Sequence, residues 1–308
     1  MEPSVKNLEA DSLLTNRRVA ALYPGVGFVL LCVTPIAFVW GLMHRFLALA
    51  FQNDTFAYIP LIPVVSLYLI YSERKSIFSM VSYDWRTGGA FIVPGAICLV
   101  LARSNSWQLG SANQISLLMF AFVLIWAGAF ALFFGNHSFR AASFASLFLL
   151  FMVPIPEPLL SHAILLLQQG SAKAAETIFQ LFDVPFFRQG LDFALPGVTI
   201  RVAEECSGIR SSLALLITTV LASHFFLRSS WRRLLLCIFA IPIVILKNGL
   251  RIATLSTLAV YVDPGFLHGN LHHHGGIVFF LIALIPLALL LVLLQKGENP
   301  RSALATDA

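Results

Sequence analysis

Long apolar runs separated by short polar stretches dominate the chain. They fall at roughly 22–43, 56–72, 88–103, 113–134, 139–155, 208–227, 233–262 and 275–295. A helix needs about 20 apolar residues to cross a bilayer, and in lipid its backbone bonds are all satisfied internally. The pattern therefore predicts an all-α polytopic membrane protein with about eight transmembrane helices. The third run is short, and the seventh is long enough to tilt or to project from the membrane. Two stretches depart from the pattern. Residues 159–182 are apolar enough for a helix but carry His162, Gln168, Gln169, Lys173 and Glu176, which predicts an interfacial or re-entrant helix that does not cross. In residues 183–205 the alternating runs Leu191–Leu195 and Val198–Val202 flank Pro196-Gly197. That spacing predicts a short extracytoplasmic β-hairpin.

Composition changes how the charge is read. The chain of 308 residues is 58% hydrophobic and 11% charged, against about 25% charged in soluble domains. The net charge of +5 is then a matter of topology, because its basic residues sit in short clusters between apolar runs. No aromatic-interleaved basic stripe is present, and no nucleic-acid partner is expected. Arg17 and Arg18, Arg74, Lys75 and Arg86, Arg140, the cluster Arg228, Arg232 and Arg233, and finally Lys296 and Arg301 alternate consistently if both termini are cytoplasmic. A crossing by residues 159–182 would put the Arg228 cluster outside, against that rule. The first apolar run lacks a small-residue cleavage site and reads as a retained helix rather than a signal peptide.

Candidate chemistry gathers at one level of this arrangement. Cys32, Cys98 and Cys237 lie inside apolar runs, where a thiol acts as a small hydrophobe. Cys206 instead sits among Glu204, Glu205, Ser207 and Gly208, just before an apolar run. A thiol at such a boundary reaches water, and the helix that follows would lower its pKa. Asn248 and Arg251 lie three apart inside the seventh run, so they share a helix face. His272, His273 and His274 open the last run. A histidine can take a thiol proton and return it to a leaving amine, and an arginine can stabilise an oxyanion or hold a carboxylate. Glycine at 208 allows close backbone approach. Structural readings stand beside these: a snorkelling arginine, a histidine run that only caps a helix, and Glu204 and Glu205 as solvated caps. Consecutive histidines on a helix point in different directions, so no metal site is expected from the run, and no cofactor is expected.

The blocks Glu205-Cys206-Ser207-Gly208-Ile209-Arg210-Ser211, Asn248-x-x-Arg251 and Leu271-His272-x-x-Gly275-Gly276-x-x-Phe279-Phe280 resemble the exosortase/archaeosortase family. Asp54–Pro63 resembles that family's early periplasmic motif, and Phe151–Pro156 its mid-chain motif. In relatives a histidine often precedes Leu-Ile-Pro in the early motif; here Ile59 stands near that place. The resemblance implies a multi-pass membrane cysteine transpeptidase, an analogue of sortases. Its implied partners are exported proteins with a C-terminal sorting signal of Pro-Glu-Pro type, membrane lipids and exopolysaccharide machinery. It also implies a bacterial inner-membrane location with the site facing the periplasm. Carried over, Cys206 is the nucleophile, Arg251 the stabilising cation and His272 the acid/base. His273 and His274 stay open as alternates, with Asn248, Glu205, Ser207 and Gly208 in support. The expected organisation is a cytoplasmic segment 1–20, one integral membrane domain 21–295 with its catalytic half about 150–295, and a cytoplasmic tail 296–308. The competing expectation is a non-enzymatic polytopic subunit for envelope polysaccharide export or assembly. A transporter is a weaker one, since its site would lie near the midplane.

Overall fold

The computed structural model describes residues 24–52, 56–104, 107–202, 208–267 and 270–298. Its contacts divide the chain into two compact units, Met1–Glu157 and Pro158–Ala308.

In the first unit, α1 (Pro24–Phe38) is followed at a bend of 87° by Trp40–Ala48, the first part of α2 (Trp40–Gln52). Then come α3 (Leu61–Ser72), the single turn α4 (Arg74–Ile77), α5 (Trp85–Ser104), α6 (Ser111–Ala141) and α7 (Ser143–Phe148). A 3-10 turn over Leu149–Met152 closes the unit's helical part. Glycines let α5 and α6 pack backbone to backbone. A Cβ at Gly88 would lie 2.7 Å from Leu132 Cβ, and one at Gly128 would lie 2.8 Å from the Gly88 carbonyl oxygen. Small residues of this kind set close helix crossings in membranes, where no hydrophobic force drives helices together. Gly135, at φ +84°, interrupts α6. A side chain there would meet Ser82, so only glycine admits the 80–84 connection at that place. Phe28, Trp126, Phe130, Phe134 and Phe78 form an aromatic cluster, with Trp126 stacked on Phe130 and the other pairs edge to face or tilted.

The second unit holds nearly all of α8 (Glu157–Leu181), then β1 (Phe187–Gln189), β2 (Asp192–Leu195) and β3 (Val198–Arg201). After it come α9 (Ile209–Phe226), α10 (Ser230–Tyr261), a 3-10 turn Pro264–Leu267 and α11 (Asn270–Lys296). The strands form an antiparallel sheet in the order β1-β2-β3, with Phe193 opposite both Arg188 and Ile200. Its inner face packs Phe193 and Leu195 with Phe179 and Ala175 of α8 and Ile252 and Ala253 of α10. At the other end of the unit, Leu215, Leu227, Leu236, Val244, Ala283 and Leu287 join α9, α10 and α11.

Two expectations are met only in part. Five described helices are long and apolar enough to span a membrane: α5, α6, α9, α10 and Gly276–Lys296 of α11. Counting Pro24–Phe38 with Trp40–Ala48, and Ser143–Met152 with Glu157–Leu181, as one bent span each gives seven, not eight. Residues 56–60 form turns, so α3 keeps only 12 residues, about 18 Å of helix against a core of about 30 Å. The apolar run 139–155 is divided among the end of α6, α7 and the 3-10 turn. The hairpin also has a third strand. Gly190, at φ +64°, makes a second turn that folds Phe187–Gln189 back onto β2.

Candidate active site

The site is built on α10. Lys247 and Asn248 are 5% and 1% exposed in the middle of a helix of 32 residues. A charged residue at such a depth costs about 2.5–3.5 kcal/mol on insertion scales, so it is retained where it faces other helices. Gly249 allows that arrangement. A Cβ there would lie 2.5 Å from Ala174 Cβ and 3.1 Å from the Ser171 carbonyl oxygen, which brings α8 against α10. Asn248 Nδ2 then donates to Ser171 Oγ at 3.0 Å. Lys247 Nζ donates to Ser211 Oγ in the first turn of α9. Arg251 follows one turn along α10, on the face shared by Lys247 and Asn248.

The two ends of the segment that carries Cys206 are fixed from opposite sides of it in sequence. Upstream, the Val202 amide donates to the Leu191 carbonyl at 3.0 Å, and Gln168 Nε2 donates to the Val202 carbonyl at 2.9 Å. Downstream, Gly208 caps α9 in the left-handed region, at φ +70° and ψ 17°. A Cβ at 208 would lie 2.7 Å from Asn248 Oδ1 and 2.9 Å from its Cγ. Both the backbone conformation and the Asn248 contact therefore demand glycine. Ser211 and Ser212 hydroxyls return bonds to the Gly208 carbonyl at 3.1 and 2.7 Å, closing the first turn.

Of the expected site residues, the structure brings Gly208 and Asn248 into direct contact and sets Arg251 a turn away. His272, His273 and His274 fall in the first two turns of α11, which packs against α10 and the preceding 3-10 turn. Cys206, Glu205 and Ser207 lie outside the described residues. Gln168, Ser171 and Ser211 had no assigned part in the sequence reading. Their signal was polarity alone: Gln168 and Ser171 are spaced three apart, on one face of α8. Charge around the site is ordered by the sheet. Glu176 holds Arg188 at 2.6 Å and Lys173 at 3.1 Å, and Asp192 faces Arg201 at 3.7 Å. Among the described residues no group of three His, Cys, Asp or Glu side chains is placed to hold a metal ion.

Fold and site together define a multi-pass membrane protein with a polar centre enclosed by three helices and flanked by a small sheet. Residues 50–289 match the transmembrane exosortase family, and the chain belongs to it. That family is generally one of cysteine transpeptidases. No curated protein and no solved structure matches the chain.

Proposed function

We propose that this exosortase cleaves C-terminal sorting signals of exported proteins at the periplasmic face of the bacterial inner membrane, through a thioester on Cys206. The reading is supported above all by the contact of Gly208 with Asn248. It ties the end of the cysteine-bearing segment to α10, one turn from Arg251. In the proposed reaction, the Cys206 thiolate attacks the scissile carbonyl carbon. Arg251 stabilises the oxyanion that forms. His272, or one of its neighbours His273 and His274, protonates the departing amine as the C–N bond breaks. The acyl group then leaves the sulfur for water or an acceptor amine, which yields its proton to the same histidine. The substrates have a Pro-Glu-Pro type motif, an apolar span and a basic tail.

The test is processing of a tagged sorting-signal substrate in the native membrane. Cys206→Ala abolishes cleavage and the acyl-enzyme. Arg251→Lys lowers the rate by about 100-fold or more, because an ammonium lacks the planar fork of a guanidinium. Processing at the wild-type rate by Cys206→Ala would show that Cys206 is not the nucleophile.

A further inference from the structure

Lys247 and Ser211 have no part in the reaction just described, yet they meet directly: the lysine Nζ lies in hydrogen-bond contact with Ser211 Oγ. Ser211 is in the first turn of α9, a candidate span of 18 residues. Lys247 is about 26 Å along α10 from Ser230. The pair therefore sits at the end of α9 away from the 227–229 connection, near one edge of a bilayer core about 30 Å thick. Two features suit the serine for attack on an electrophile. The first is a hydroxyl proton that the helix does not need. Ser211 Oγ lies 3.1 Å from the Gly208 carbonyl oxygen, but Ser212 already gives that oxygen its amide at 2.9 Å and its hydroxyl at 2.7 Å. A carbonyl oxygen has two lone pairs, so Ser212 fills them and the Ser211 proton is left for the lysine. The second feature is the amine. Lys247 is 5% exposed, and among the described residues no carboxylate pairs with it. A lysine shut away from water in this manner is the kind that serves enzymes as a general base. An uncharged amine keeps a lone pair, and the same contact then runs from the hydroxyl to the amine.

We propose that Ser211 and Lys247 are a second nucleophile–base pair, acting on an acyl carbonyl held at the membrane edge. Ser211 Oγ attacks the carbonyl carbon as its proton passes to Lys247 Nζ. The oxyanion forms beside the first turn of α9, at the positive end of that helix. As the bond to the leaving group breaks, the Lys247 ammonium returns the proton to it, and an ester is left on Ser211. Water then attacks the ester and gives its proton to Lys247, which passes it to the departing serine oxygen as the acid is released. The substrate class is an ester or amide whose acyl carbon reaches the membrane–water boundary. The pair stands apart from the Cys206 reading, because neither its contact nor its chemistry involves the thiol.

The experiment treats the purified full-length protein in proteoliposomes with an alkyl fluorophosphonate, whose fluoride a nucleophilic serine displaces. Trypsin cuts after Arg210, so Cys206 and Ser211 fall in different peptides. Fragmentation in the mass spectrometer then separates Ser211 from Ser212. The phosphonyl adduct should sit on Ser211 and not on Ser212. Lys247→Met should slow its formation by about 100-fold or more. Lys247→Arg should be as slow, since a guanidinium can still donate to Ser211 but cannot take its proton. Hydrolysis of a p-nitrophenyl ester should be lost in Ser211→Ala, and hydrolysis at the parent rate overturns the acyl assignment. No adduct on Ser211, or equal labelling of Ser211 and Ser212, overturns the pair itself. So does labelling of Lys247→Arg at the parent rate, which would make the contact a structural tie between helices. The comparison of the two serines needs no variant, so it decides even where the lysine variants do not accumulate.

Discussion

In the first half of the chain, the described buried polar side chains all bond to backbone carbonyls. Ser66 reaches Ala145, Gln114 reaches Ala102, Ser138 reaches Met80, and Ser116 and Ser146 bond within their own helices. In the second half Ser212, Thr219, Ser223 and Ser256 do the same. Lys247 and Asn248 do not: each reaches a side chain on a different helix. Every residue supplies a carbonyl, so a bond to one asks for a single polar residue and serves folding. A bond between two side chains on separate helices asks for two particular residues in register, and it fixes those helices against each other. Three glycines repeat the contrast. Gly88 and Gly128 make room for another backbone or an aliphatic chain, whereas Gly208 makes room for the Asn248 amide.

That contrast is most open to attack at the glycines, where the effects should be largest. Gly208→Ala places a methyl 2.7 Å from Asn248 Oδ1 at a backbone φ of +70°. The left-handed conformation costs roughly 1–2 kcal/mol for a residue with a Cβ, and Asn248 must move. We expect substrate processing per folded molecule to fall by about 100-fold or more, far beyond what the accompanying loss of stability explains. Gly128→Ala meets the Gly88 carbonyl and the Ile92 amide, each at 2.8 Å, and neither can step aside without separating α5 from α6. It should cost about 1–3 kcal/mol of stability, seen as a lower melting midpoint, with activity reduced only in proportion to the folded fraction. If both substitutions lower activity only in proportion to the folded fraction, the division between a site half and a scaffold half collapses.

A smaller pair sharpens the same point. Asn248→Ala removes the Ser171 bond and the wall beside Gly208, and should lower processing by about 10-fold or more, with about 0.6–2 kcal/mol lost from stability. Gln114→Ala removes a bond of similar burial to the Ala102 carbonyl, and should cost comparable stability with the processing rate per folded molecule unchanged. Rate and melting midpoint measured on the same preparations separate the two.

Much of this arrangement was legible in the residues. Apolar runs announced the membrane helices, Pro196-Gly197 announced a hairpin turn, and the i, i+3 spacing of Asn248 and Arg251 put them on one face. Hydropathy failed where helices break without becoming polar. The run 139–155 is mostly apolar, yet α6, α7 and a 3-10 turn divide it, and nothing in apolarity registers a change of helix direction. β1 was hidden for a related reason. Phe187-Arg188-Gln189 does not alternate, and its pairing depends on the positive φ of Gly190. The partners of Lys247 and Asn248 were invisible because serines at 171 and 211 acquire meaning only when α8 and α9 are brought to α10.

The smallest effect tests where the two halves are alike. Asp84 accepts the amides of Arg86 and Thr87 and the Thr87 hydroxyl at the start of α5. Glu298 accepts the amides of Arg228 and Ser229 at the start of α10. These bonds hold both carboxyls below their usual range, through the Thr87 bonds for Asp84 and the Arg228 amide first for Glu298. A carboxyl with a lowered folded pKa stabilises the fold above its unfolded value, about 3.9 for Asp and 4.3 for Glu. That contribution disappears as pH falls through the folded value. Both groups are exposed and screened by solvent, so Asp84→Ala and Glu298→Ala should each lower the melting midpoint by no more than about 4 °C at pH 7. The gap to wild type should narrow below about pH 4. Neither substitution should alter the processing rate per folded molecule, since neither carboxyl bonds to Gly208, Asn248 or their partners. A cap substitution that changed that rate while leaving melting unaffected would mean that the polar chemistry of the second half extends well beyond α10's centre.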